Sequence, residues 1–163
     1  MIELLVSVSI ISLAGFAFVA LLTHSLQAWS TGNSKEEATS AATIALQKLA
    51  YDMRDGKASA ISSDKRTITV TFPRLLTDPN TEESVYDPSS SDLITRSYYV
   101  SDGNLVRIIG SDITILARGI PASAITFGGL GGIVNVTIKQ PFGSDGKIYE
   151  VTSQISLRNY RSN

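Results

Sequence analysis

Glu3 is the only formally charged side chain before Lys35, and the nineteen residues behind it, 4–22, hold no charge, proline or amide. A carboxylate at the mouth of so apolar a segment is costly in a bilayer, and such residues usually carry a function and a partner. No basic residue of this chain lies near enough in sequence to serve. Either Glu3 sits among lipid headgroups, or its partner belongs to another molecule.

Other residues with chemical potential point to less. His24 is the only histidine. A lone histidine builds no metal cluster and, without a placed nucleophile and orienting acid, no triad. Asp102-Gly103-Asn104 and Asp145-Gly146 lack the alternating acidic spacing of a calcium loop and read as hairpin turns. Asp78, Glu82, Glu83, Asp87 and Asp92 crowd one segment, and an ordinary polar loop is the simpler reading than calcium binding. Gly128-Gly129-Leu130-Gly131-Gly132 has no lysine or helix behind it, so it reads as a strand-linking turn and not a phosphate loop. The chain has no cysteine, which removes thiolate chemistry. The residues thus predict no catalytic, cofactor or metal site, and a protein that is not an enzyme.

The totals bound the class. A chain of 163 residues fits one ordinary domain. All 14 Lys and Arg, and 14 of the 15 Asp and Glu, lie from Lys35 onward, so the downstream part is formally neutral. That argues against nucleic-acid binding, which needs a basic stripe. It also argues against a polybasic lipid-binding segment.

The elements that must position Glu3 follow from periodicity. At about 1.5 Å per residue, residues 4–22 span roughly 30 Å, one hydrocarbon thickness. The leading end is acidic, and the apolar run exceeds the roughly 15 residues of a cleaved signal. Helical pattern continues through 23–29, so the segment reads as a mature helix able to cross a bilayer. Trp29, just past it, fits an interfacial aromatic anchor or a packing residue. Beyond Lys35 the pattern turns amphipathic. Ala38, Ala42, Ala45, Leu46, Leu49 and Met53 recur at three- and four-residue steps. Lys35, Glu36, Gln47, Lys48, Asp52 and Arg54 fall mostly off that stripe. Gly56 is a candidate C-cap, with Arg54 in the last turn. One helix from about Ile2 to about Asp55 is predicted, with Gly15 or Thr31-Gly32-Asn33 as places where it could loosen.

After Gly56 the period becomes two. Strands are predicted near 67–72, 93–100, 105–109, 113–118, 124–127, 133–139 and 148–157. Hairpin turns fall at 101–104 and 141–146. Tyr98 and Tyr99 point to opposite strand faces, one toward the core. Residues 77–92 read as a surface excursion. The predicted fold is α+β: a long N-terminal helix whose second half packs on an antiparallel sheet. Its first half has nothing in the chain to pack against and must enter lipid or meet other subunits.

These residues carry a family likeness. Met1-Ile2-Glu3-Leu4-Leu5-Val6-Ser7-Val8-Ser9-Ile10-Ile11 resembles the start of mature type IV pilins and type II secretion pseudopilins. Their pattern is Phe-Thr-Leu-Ile-Glu-Leu-Leu-Val, and Ile2 to Val6 match it directly. Met1 stands where the family has Leu or Met, so the family's Phe-Thr and short basic leader would precede it. The resemblance leaves two expectations there: a sequence written from an internal methionine or near its mature form, or a relative that stays in the membrane unprocessed. The segments 45–54, 98–107 and 156–159 look like minor pilins of the PilW and pseudopilin J type.

The resemblance implies a pilin-like fold, with residues 1–30 as membrane anchor and filament core and 31–163 as a soluble α+β domain. It implies that Glu3 pairs with the N-terminal amine of a neighbouring subunit. Ile2, Leu4, Leu5 and Val6 belong to the motif, and Leu13, Phe16 and Phe18 to the membrane and core helix. Implied partners are other pilin or pseudopilin subunits, an inner-membrane assembly platform and, if a leader precedes Met1, a prepilin peptidase. The implied location is the inner membrane with an extracytoplasmic domain, then the pilus or pseudopilus. A signal-anchored binding or sensor domain that never polymerises is the alternative.

Overall fold

The computed structural model describes residues 2–77, 84–86, 93–143 and 145–160. Helix α1 runs without a break through Ile2–Met53. Neither Gly15 nor Thr31-Gly32-Asn33 interrupts it. No proline falls within it, so every residue can donate to the helical ladder. The buried residues of α1 are Ala38, Ala42, Ala45, Leu46, Leu49 and Met53, the stripe read from the sequence.

Ten strands follow among the described residues: β1 (Ala58–Ile61), β2 (Ile68–Pro73), β3 (Leu75–Thr77), β4 (Ser84–Tyr86), β5 (Leu93–Ser101), β6 (Asn104–Ile109), β7 (Asp112–Arg118), β8 (Ile125–Leu130), β9 (Ile133–Phe142) and β10 (Lys147–Ser156). They form two main sheets where the sequence suggested one. The first is a five-stranded meander, β1-β2-β5-β6-β7, and the second has the order β10-β9-β8. β3 and β4 form a separate ribbon. All pairs are antiparallel. Strand β1, Ala-Ser-Ala-Ile, was not legible because nearly all of it is exposed and no alternation marks it. The acidic residues Asp78, Glu82, Glu83, Asp87 and Asp92 lie outside the described residues.

The turn chemistry is local. Asp102 and Gly103 both take positive φ (48° and 72°), as a type I′ hairpin requires between β5 and β6. Gly128 and Gly129 belong to strand β8, and only Gly131 and Gly132 make the turn into β9. Pro141 and Phe142 extend β9, so the turn before β10 is shorter than the sequence suggested.

The packed half of α1 lies against β7, β9 and β10. The core joins Leu49 and Met53 to Ile68, Val70, Phe72, Tyr98, Leu105, Phe127, Val136 and Ile138. Full burial of each such aliphatic side chain stabilises by about 1.5–3 kcal/mol relative to exposure. Arg54 falls one residue beyond the helix. Gly56 caps by donating its N–H to Met53 O (2.9 Å), without left-handed φ. Its lack of a Cβ answers close packing: a Cβ there would stand 2.5 Å from Val70 Cγ1. The end of the chain completes the cap. Arg158 N donates to Arg54 O (2.7 Å) and Asn159 Nδ2 to Asp55 O (2.8 Å). Carbonyls at and just beyond a helix end need such partners.

Candidate functional site

The candidate site is the N-terminal half of α1. Leu and Ala are strong helix formers, and a helix satisfies its own backbone groups in apolar surroundings. Three hydroxyls bond back to the helix. Ser7 Oγ donates to Glu3 O, Ser9 Oγ to Leu5 O and Thr23 Oγ1 to Val19 O, each at 2.8 Å. Such back-bonding lets serine and threonine enter an apolar medium without an open donor.

Among the described residues, no large apolar side chain of this half is buried. Ile2, Leu4, Leu5, Val6, Leu13, Phe16 and Phe18 are all exposed, Phe16 at 79%. The helix is long and apolar enough to cross a membrane, and none of its most apolar 18-residue window is buried. A monomer in water does not leave so large a contiguous apolar surface bare without a use for it. Glu3 lies in the first turn. Its carboxylate there complements the helix dipole by about 0.3–1 kcal/mol. Among the described residues no cation forms an ion pair with it. The sequence-predicted residues therefore share one exposed rod. What covers that rod must come from outside the chain.

A second polar constellation was missed from sequence. Asp52, on the packed half of α1, receives Arg96 Nη1 from β5 at 2.8 Å. It also receives Arg107 Nη1 from β6, at 2.9 and 3.0 Å to its two oxygens. The side chains are only 12–23% exposed. Arg96 also stacks over Phe72, 4.1 Å from the ring centroid, a cation–π contact. Beside them Tyr98 is fully buried, and its hydroxyl has no hydrogen-bond partner among the described residues. Burial first, then the nearby Asp52 carboxylate, pushes the phenol above its ordinary range. The signal was present: Arg96 sits between Ile94 and Tyr98 on one strand face. Asp52 borders the apolar stripe and does not lie across the helix from it.

This constellation ties the helix to the five-stranded sheet. Among the described residues no group of three or more His, Cys, Asp or Glu could hold a metal ion. His24 stands alone on the exposed helix.

Compared with family models, curated proteins and solved structures, the chain matches none. The fold and site by themselves define an α+β protein with one N-terminal helix able to serve as a single membrane anchor.

Proposed function

We propose that the protein is a structural subunit of a helix-cored filament: a minor pilin or pseudopilin of a type IV pilus or type II secretion pseudopilus. One observation carries this reading. A single unbroken helix is packed at one end and bare over a membrane length at the other, with a carboxylate in its first turn that forms no ion pair among the described residues.

The subunit waits in the inner membrane with its β domain extracytoplasmic, then leaves lipid for a bundle of like helices. Leu4, Leu5, Val6, Leu13, Phe16 and Phe18 exchange lipid contacts for helix contacts, so extraction replaces one apolar surrounding by another. Small residues such as Ser7, Ser9, Ala14 and Gly15 permit close approach. Glu3 pairs with the N-terminal amine of the next subunit, which sets axial register. Pairing opposite charges in a low dielectric relieves the several kcal/mol that either costs alone. An assembly platform, other pilins and a prepilin peptidase are the partners of this process.

The test is incorporation of Glu3→Gln and Glu3→Ala variants into sheared filaments of the native host. A loss of about 3 kcal/mol of pairing predicts a drop of roughly a hundredfold, with membrane insertion retained. Incorporation equal to wild type would overturn the register role.

A further inference from the structure

We infer that the tip of the β9–β10 hairpin rests on the phospholipid headgroup layer while α1 spans a bilayer, and that the groove beneath it receives zwitterionic headgroups. This rests on reading residues 4–22 as a membrane span.

Strand β9 runs back along α1 toward the membrane. At its start, Leu157 N donates to Gly132 O while the neighbouring Arg158 N donates to Arg54 O. The β8–β9 turn is therefore level with the helix's end. At its far end, Gly143 lies against Thr31: a Cβ on Gly143 would stand 3.5 Å from Thr31 Cγ2. The two lengths agree. From Thr31 to Arg54 the helix rises roughly 35 Å, and from Gly132 to Gly143 the strand covers about 36 Å. The other sheet stops short of this level. Its end at Arg118 and Gly119 faces Glu37, Ala38 and Ala41.

Depth follows from helix rise. Glu3 and Trp29 are separated by roughly 39 Å along the axis, close to the 40–45 Å of a bilayer with its headgroups. Thr31 lies only about 3 Å beyond Trp29. A helix seated with Glu3 at one interface and Trp29 at the other brings the hairpin tip onto the lipid surface.

The groove there has the polarity of that layer. It encloses about 560 Å³ and is lined by Thr23, Gln27, Ser30, Thr31 and Asp145 among others. At the tip, Lys147 Nζ and an Asp145 carboxylate oxygen are 2.8 Å apart. The hydrogen bond from Lys147 holds the Asp145 carboxyl below its usual range, so Asp145 is an anion at neutral pH. Adjacent charges of both signs complement the ammonium and phosphate of a zwitterionic lipid. A net-anionic surface finds no excess of positive charge here.

The absence of cysteine makes the test clean. Full-length protein carrying Ile148→Cys, an exposed position beside the tip that leaves the Asp145–Lys147 pair intact, or Leu130→Cys is labelled with a fluorophore. It is reconstituted in zwitterionic phospholipid vesicles bearing a headgroup quencher. Leu130 is 91% exposed at the opposite end of the hairpin sheet. Trp29, the only tryptophan, reports helix insertion independently. Quenching of Trp29 and of the label at 148, with none at 130, is expected. Quenched Trp29 with an unquenched label at 148 overturns the proposal alone. Unquenched Trp29 overturns the membrane span and the proposal with it. Quenching at the tip that appears only after anionic lipid is added overturns the headgroup assignment.

Discussion

The two halves of α1 share one continuous backbone and opposite surroundings. Residues from Ala38 to Met53 bury a stripe of small and aliphatic side chains against two sheets. Residues 4–22 present larger apolar side chains on every face and bury none. The packed half needs only a stripe, because the sheets cover one side and water covers the other. The bare half is apolar all round, which suits a surrounding that is itself apolar on all sides. The same helix therefore suits two different surroundings, and its first basic residue, Lys35, comes shortly before the packed stripe begins at Ala38.

The sharpest way to break this contrast is a matched pair of leucines. Leu49 is fully buried and Leu13 is exposed. Leu49→Ala is expected to destabilise the β domain by about 2–5 kcal/mol, through lost transfer energy and a residual cavity. Leu13→Ala is expected to leave the domain's denaturation midpoint unchanged in detergent. Chemical denaturation followed by circular dichroism separates them, and equal shifts would mean that the bare half also stabilises the domain.

A smaller loss is expected at Asp52. Asp52→Asn keeps the shape and removes the carboxylate that the two guanidiniums share. Breaking a buried ion pair costs about 3–5 kcal/mol, and partial exposure here reduces that to roughly 1–3 kcal/mol. Glu3, at the bare end, is expected to leave domain stability untouched when changed to Gln. The same denaturation curves test both carboxylates.

The smallest effect is confined to alkaline pH. Tyr98 keeps its proton more tightly when folded than its ordinary pKa of 10.0 when unfolded. The folded state then binds more protons above about pH 10, and stability falls as pH rises through that window. The slope attributable to this one group is at most about 1.4 kcal/mol per pH unit. Tyr98→Phe is expected to lose that share of the alkaline slope while changing stability little at pH 7. A wild-type slope retained in the variant would locate the titration elsewhere.

Much of the fold was legible because its signals are local. The apolar stripe of α1 follows from three- and four-residue spacing. The β5–β6 hairpin follows from Asp102-Gly103, since that dipeptide tolerates two positive φ angles in succession. Exposed β1 left no periodic mark. The division into two sheets left none either, since alternation records which face is buried and not which strand lies alongside. The Asp52–Arg96–Arg107 constellation was hidden for a related reason. Its members are 44 and 55 residues apart along the chain, and each alone reads as a surface charge.

The sequence by itself determined a membrane-length apolar helix with one carboxylate at its tip, because a run of nineteen uncharged, proline-free residues admits few other states in water or lipid. It also determined that the rest is a neutral, cysteine-free domain of alternating strands. Only the tertiary structure decided that the packed half of the helix lies on two sheets, against β7, β9 and β10. It also decided that Asp52 is held by two arginines, and that β9 runs back along the helix to bring its hairpin beside Thr31. Those outcomes depend on contacts between residues distant in sequence, where burial and charge pairing select one arrangement among many that the local pattern allows.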